Sequence, residues 1–522
     1  MGAESMRLRA VSAEVDLSLR KAVLAFVLVC IVLFPLVLGL GMTRGLNHDE
    51  HQHIAAGALV AREGLIPYRD FPHFHTPYLP FVYAALFRVS DQLLTSARLF
   101  STICSTAILG IIGGFAYALF VNRGKAFASL VGIGAVVLAL TTTLFTQTAG
   151  RAWNHEPSLL LVLVAFVAHI AGLKTGRWSL LVVSGILLGF AIGTRITCAP
   201  LIAPFGLATF LFPLPAGWHW KRAFAFSGGL LAGLAGLIHL FATVPEQALF
   251  DNFGFAEANI VYRYSEGEPR TMTLPTKLRF LFKEIVRPDF ALFFAGIFPV
   301  VMAFVIKRRS GFRLPLEIPL LLLLLPFVLM GSLAPSPAFD QYFFPLVPWL
   351  LILGLFGFAS IPPAHNWSRR LVVVGALAVA VSAIKGVKAF HDIDDYFQIR
   401  KWEGTRLHRG AEEIRSHVTT GRILTLAPAY PLEAGLSIYP SFSPGPFAWR
   451  VSPYINPAKA ARIGVVSPAT LNEMLLKSPP AAVLLGFEKE GEDELKTYAR
   501  RTGLQKLRLE EDEHQLWVPV RK

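Results

Sequence analysis

Two adjacent carboxylates and three histidines are crowded into one short stretch, Asn47-His48-Asp49-Glu50-His51-Gln52-His53, just past the end of the first long apolar run. A carboxylate can take a proton from a hydroxyl, and imidazoles can donate to an anion or ligate a metal. Placing this much polarity beside lipid is costly unless something uses it. Further concentrations follow at Tyr68-Arg69-Asp70, at His73-Phe74-His75-Thr76-Pro77, and at Arg151-Ala152-Trp153-Asn154-His155-Glu156. Arg195 sits in Gly193-Thr194-Arg195-Ile196-Thr197, and Gln341-Tyr342 precedes a late apolar run.

The elements that must position these groups are set by composition. With 54% hydrophobic and only 16% charged residues over 522 positions, the chain holds more apolar surface than one soluble core can bury. Its mean hydropathy is +0.52. Runs of about 17 to 25 apolar residues, the length that crosses a bilayer, fall at 22–42, 99–120, 126–145, 157–173, 179–194, 197–213, 223–243, 288–306, 315–333, 343–361 and 370–389. The expectation is an all-α polytopic membrane domain of about eleven spans, followed by a small α/β domain.

With a cytoplasmic N-terminus, the short inner connections carry Arg123 and Lys125, Lys174 and Arg177, Lys221 and Arg222, Lys307 with Arg308, Arg309 and Arg313, and Arg369 with Arg370. This placement follows the positive-inside rule. It accounts for much of the +14 net charge without nucleic acid as a partner. The expected organisation is a cytoplasmic segment 1–21, a membrane domain 22–389 with outer loops 43–98 and 244–287, and an extracytoplasmic domain 390–522. The expected location is the plasma (inner) membrane. The first span exceeds the apolar core of a signal peptide and lacks a small-x-small cleavage site, so it reads as an uncleaved anchor. Cys30, Cys104 and Cys198 all fall within spans, which argues against a disulfide framework.

In the tail, strands are expected at 423–426, 482–485 and 515–518. Ser467 with Pro468 reads as a helix start, and a second helix covers 492–501 with Gly503 as its stop. No nucleophile motif, phosphate loop or metal spacing occurs there, so a structural or acceptor-docking role is expected. In the first outer loop, 49–63 reads as a helix lying along the membrane surface, with Gly64 as its stop. Asp49 and Glu50 also suit the positive end of that helix. Asn154 and Glu156 likewise suit the start of the fourth span. In the second long loop, the amphipathic run 274–286 with Lys277, Arg279 and Lys283 reads as a surface helix over lipid phosphates.

An acid pair outside the first span, a Gly-x-x-Pro-Tyr-x-Asp segment (Gly64, Pro67, Tyr68, Asp70) and a Pro-led entry to the next span resemble the GT-C superfamily. The likeness is to the branch of protein O-mannosyltransferases and lipid A aminoarabinose transferases, over roughly the first 390 residues. It implies a glycosyltransferase that moves a sugar from a polyprenyl phosphate to an acceptor hydroxyl on the outer side of the membrane. Asp49 would be the base and Glu50 its partner. Arg151, Arg195 and Arg69 are the candidates for the donor phosphate. His53, Tyr68, Asp70, His75, Asn154, His155, Glu156, Gln341 and Tyr342 are the candidates for substrate contacts. The implied displacement is a single, inverting step, because no separate nucleophile is in view.

The chain departs from the aminoarabinose transferases, where Arg-Tyr follows the acid pair and Lys-Pro-Pro ends the loop. Here those places hold Gln52-His53 and His75-Thr76-Pro77, which points to different phosphate contacts. A divalent metal is a further reading, with His48, His51 and His73 as candidates, although their spacing matches no zinc signature. The competing classes are a transporter or lipid flippase, which would place its polar residues at mid-membrane in internal repeats, and a non-catalytic acceptor-binding protein of the same fold.

Overall fold

The computed structural model describes residues 3–211, 219–267, 272–310, 314–488, 491–509 and 514–520. Helices occupy each of the expected spans, where apolar runs of bilayer length leave the backbone no partner but itself. The first part of the chain holds α1 (Ala3–Met42), α2 (His48–Glu63), α3 (Tyr78–Phe87), α4 (Leu93–Phe120), α5 (Lys125–Leu140), α6 (Thr143–Thr148), α7 (His155–Thr175) and α8 (Trp178–Thr194). Then come α9 (Ile202–Leu211), α10 (His219–Thr243), α11 (Pro245–Leu249), α12 (Phe255–Ser265), α13 (Leu274–Phe280), α14 (Phe290–Ser310), α15 (Glu317–Leu333), α16 (Leu346–Ala359) and α17 (Asn366–Gly386). Among the described residues, seven helices are long and apolar enough to cross a membrane by length and composition, and five shorter helices are also apolar. Arg313 and the last two residues of the expected 197–213 span lie outside the described residues.

Helix α1 runs along α4, α7 along α8, α8 along α10, and α14 along α16. The flank of α1 (Leu28, Ile31, Val32) and that of α17 (Val373, Leu377, Ile384) remain exposed, as suits helices solvated by lipid. The α8–α10 contact is made by glycines. A Cβ on Gly185 would stand 2.2 Å from the Phe226 carbonyl oxygen, and one on Gly229 would stand 2.2 Å from that of Val182. The two backbones therefore touch, which is how small residues drive helix pairing where lipid offers no hydrophobic effect.

The tail folds into a five-stranded sheet of order β2-β1-β3-β5-β4. Its strands are β1 (Arg422–Thr425), β2 (Ser437–Ile438), β3 (Ala482–Leu485), β4 (Gln505–Arg508) and β5 (Gln515–Val518). Strand β1 pairs in parallel with β2 and β3, while β5 runs antiparallel to β3 and β4. The three expected strands are present. Strands β2 and β4 were not expected, because two residues of Ser-Ile and the polar run Gln-Lys-Leu-Arg carry little apolar alternation. The helix after Ser467 (Pro468–Lys477) and the helix Asp493–Arg501 lie where the sequence places them.

Helix α2 departs from the expectation of a surface helix. Residues from Glu50 through Val60 are buried on every face. Ile54, Leu59, Tyr83 and Leu94 share one apolar core with Leu407, Ile423, Tyr430 and Leu484 of the tail. The chain leaving the parallel strands covers the polar side of α2, where the Ala429 N–H donates to His51 Nδ1 at 3.3 Å. The run 274–286 is likewise anchored rather than free, since Lys277 is buried and its ammonium donates to the Leu333 carbonyl at 2.8 Å.

The glycine contact yields a stability expectation. Gly229→Leu forces α8 and α10 apart and lowers unfolding stability in detergent by about 1 to 3 kcal/mol. Gly228→Leu, at a position with nothing within 4 Å, serves as the control and leaves the melting temperature unchanged.

Candidate functional site

The first turn of α2 is fixed before any substrate arrives. Asn47 caps the helix, its side-chain oxygen accepting from Asp49 N–H at 2.9 Å while its own N–H donates to Glu50 Oε2 at 3.0 Å. Glu50 is fully buried against Arg98, which is also fully buried. Arg98 Nε donates to Oε1 at 2.8 Å and Nη2 to Oε2 at 2.7 Å. The same guanidinium donates to the carbonyls of Gly41, Arg44 and Gly45, and Ala152 N–H adds a 2.9 Å bond to Glu50 Oε1. One ion pair thus ties together the end of α1, α2, α4 and the turn before α7. Burial alone would raise the Glu50 carboxyl; Arg98, with Arg151 and the Ala152 N–H behind it, overrides that and holds it below its ordinary value.

Asp49 points the other way, is half-buried, and takes a single side-chain bond, from Gln52 Nε2 at 3.2 Å. Burial pushes its carboxyl above the ordinary value, opposed by the fields of His48 and Arg195. Arg195 follows α8 in extended backbone and turns back onto the start of α7. Its Nη1 donates to Asn154 Oδ1 at 2.7 Å and lies 3.0 Å from His155 Nε2, and its Nε donates to Thr197 Oγ1 at 2.8 Å. The guanidinium carbon sits 5.3 Å from the centre of the Tyr342 ring, which stacks on His155 with centroids 5.9 Å apart. Asn154 stands at the N-cap position of α7, but its side chain makes no capping bond there. Its carbonyl serves Arg195 and its amide donates to the Thr194 carbonyl.

Next to Gln52 lies a cluster of three imidazoles. Ring centroids of His53 and His75 are 4.8 Å apart, those of His53 and His73 5.8 Å, and those of His73 and His75 6.1 Å. Gln52 Nε2 reaches His75 Nε2 at 3.2 Å, which joins the cluster to Asp49. Burial, and after it the neighbouring imidazoles, hold His53 and His75 well below the ordinary histidine value. Burial brings His73 down to about 3.

Residues 74–242 match the family Dolichyl-phosphate-mannose-protein mannosyltransferase. The fold matches ArnT from Cupriavidus metallidurans bound to undecaprenyl phosphate, with a TM-score of 0.57 over 95% of this chain and 97% of that one, at 14% identity. The apo state of the same protein matches with a TM-score of 0.58 over 95% and 98%, at 13% identity. This chain has a GT-C glycosyltransferase fold. No curated protein sequence matches it.

On this GT-C scaffold the sequence-derived candidates separate into groups. Asp49, His53, His75, Asn154, His155, Arg195 and Tyr342 converge around α2, the start of α7 and the chain after α8. Arg151 lies behind them, 3.7 Å from Glu50 Oε2 and over the Trp153 ring at 5.1 Å. With Arg44, Gln147 and Gln341 it lines a second cleft of about 570 Å³. Glu156 is buried, accepting from Gly150 N–H at 3.1 Å, and so supports the turn that carries Asn154 and His155.

Other candidates do not join the site. Arg69 and Asp70 pair with each other at 2.8 Å on the rim of a separate cleft, where the Asp70 carboxylate also accepts the Ile66 N–H at 2.7 Å to close a tight turn. Tyr68 occupies the left-handed region at φ 69°, and its phenol is consumed by donating to the His75 carbonyl and accepting from Asn252. It is a brace for His75. Glu50, expected as the partner of the base, is committed to Arg98. The three metal candidates do not converge: His48 bonds Glu488 and His51 accepts the Ala429 N–H beside Phe487, whereas the His73 ring packs with His53 and His75 while its backbone N–H donates to Asp251. Among the described residues no three His, Cys, Asp or Glu side chains form a metal-binding group.

Three site residues escaped the sequence reading. Arg98 ends the expected outer loop 43–98, although an arginine leading into an apolar run is itself a signal that an acid awaits it. Glu488 and Arg450 lie some four hundred residues from His48, and no local pattern links them.

Two expectations follow. Arg98→Met strands Glu50 as an unpaired buried charge and costs about 3 to 5 kcal/mol, read as a lower melting temperature, while Glu50→Gln with Arg98→Met restores most of it. Burial also brings His51 down to about 3. The fold therefore keeps His51 and His73 neutral, whereas the unfolded chain protonates them below about 6.5. Stability is then fully present above pH 6.5 and declines on acidification, by about 2 kcal/mol for each of the two histidines between pH 6.5 and 5. A thermal-shift series across that range, with His73→Asn showing a shallower decline, checks the sign.

Proposed function

We propose that this chain is a membrane glycosyltransferase that moves a sugar from a polyprenyl phosphate carrier to an acceptor hydroxyl on the outer side of the membrane. One observation carries the reading. The half-buried Asp49 carboxylate lies in the field of the Arg195 guanidinium, which Asn154 and Thr197 hold 5.3 Å from the centre of the Tyr342 ring, at the rim of a helical bundle of GT-C fold. The undecaprenyl phosphate bound by ArnT of similar fold supports a lipid-linked donor here.

In this reading the acceptor hydroxyl attacks the anomeric carbon as its proton passes to Asp49. The new C–O bond forms, the C–O bond to the phosphate breaks on the opposite face, and the carrier leaves as polyprenyl phosphate with inversion. A carboxyl with a raised pKa is a stronger base than a solvated aspartate. The leaving phosphate gains charge in the transition state, so a fixed cation aimed at it stabilises that state more than the ground state. Arg195 fills this role, because Asn154, Thr197 and His155 hold the guanidinium in place. Tyr342 and His155 offer the flat faces and polar edges that orient the donor headgroup.

Asp49→Asn should lower transfer by on the order of 10²–10⁴-fold with unchanged folding. The assay is release of free polyprenyl phosphate from lipid-linked sugars extracted from the host membranes, followed by mass spectrometry. Retained turnover in this variant rejects Asp49 as the base. Carrier binding without sugar release in the unmodified protein marks the non-catalytic alternative.

A further inference from the structure

A carboxylate of the tail reaches the first residue of α2. Glu488 Oε1 bonds His48 Nε2, and Glu488 Oε2 accepts from Arg450 Nη2 at 2.5 Å, with that nitrogen 3.4 Å from the imidazole. The His48 ring lies between Phe487 at 4.7 Å and Phe447 at 6.4 Å. Phe447 belongs to the short helix Pro446–Val451 that also carries Arg450, and it leans on Phe255 of α12.

The segment presenting Glu488 is tightly built. It leaves β3 through Gly486 at φ 115°, and the Glu492 carboxylate accepts the N–H groups of Gly486, Phe487 and Glu488 at 2.5, 3.3 and 3.2 Å. Trp449 Nε1 donates to the Gly491 carbonyl at 2.7 Å and closes the turn from the other side. Attachment of the tail does not require this arrangement, because the apolar core shared by α2, α3, α4 and the sheet already joins them. What the three side chains do specifically is fix the residue whose chain neighbour is Asp49.

Resting on the reading of Asp49 as the base, we propose that Glu488 is a positioning residue for the transfer reaction, acting through His48 to set the direction of the Asp49 carboxylate. The tail is then part of the working site: Arg450 holds Glu488, Glu488 holds His48, and His48 fixes the helix turn from which Asp49 projects.

The test uses the full chain in nanodiscs with host-extracted lipid-linked sugars as donor. Glu488→Gln should lower kcat by roughly 10- to 100-fold, the range expected for a misplaced catalytic group, with the donor KM within about twofold and an unchanged melting temperature. Glu488→Asp should recover part of the loss. Unchanged kcat, or a loss that tracks melting temperature alone, overturns the proposal. Where Glu488→Gln fails to fold, His48→Gln, which leaves the Glu488–Arg450 pair intact, gives the same discrimination. An active Asp49→Asn variant rejects the reading of the base, whereas an inactive one beside fully active Glu488→Gln and His48→Gln variants rejects only the positioning role.

Discussion

The buried ion pair between Glu50 and Arg98 is the interaction on which the site depends. Two full charges in an apolar bundle are tolerable only when every donor and acceptor is used. Here Arg98 spends its N–H groups on Glu50 and on three carbonyls at the end of α1, and Glu50 takes a further backbone donor from Ala152. The end of α1, helices α2 and α4 and the turn before α7 are thereby held together by one ion pair. Neighbouring carboxylates of one helix turn, Asp49 and Glu50, take opposite fates as a result. One is locked into the scaffold below its ordinary pKa, and the other is left at the rim above it.

Around that anchor the polar residues form layers with different tasks. Asn154, His155 and Thr197 orient Arg195, and Tyr68 with Asn252 braces the loop that carries His75. His51, His53, His73 and His75 are held neutral by burial, so they act as hydrogen-bonding and packing groups rather than as cations. The tail closes the outer side of α2 with both apolar contacts and a charged clasp at His48. A sheet whose parallel strands β1 and β3 end at α2 puts its loops where α/β folds generally place ligand contacts, at the carboxyl ends of the strands.

Much of this was legible in the sequence because the bilayer imposes simple lengths. Apolar runs mark the helices, and Gly64 marks the end of α2 by capping chemistry that is local. The polar turns were legible for the same reason: Asp49, Arg195, Asn154, His155 and Tyr342 are unusual beside long apolar runs, and the fold brings them together. The failures have a common physical cause. The polar face of α2 reads as solvated when only local sequence is considered, yet its partners come from residues 429 and 488, far along the chain. Arg69 reads as a donor-phosphate contact and Asp70 as a substrate contact, yet they satisfy each other and a turn. Glu50 looked like the companion of a base because its own partner, Arg98, lies one helix away.

The ionisation of Asp49 under the field of Arg195 is the point at which the fold and the proposed chemistry meet, and the pH dependence of transfer measures it directly. Transfer by the unmodified protein should fall on the acid side with an apparent pKa above that of a free aspartate. Arg195→Gln removes a positive field that favours the carboxylate, so its acid limb should lie at higher pH than that of the unmodified protein. An acid limb that stays in place on removing Arg195, or activity that is flat through the carboxylate range, would contradict the account.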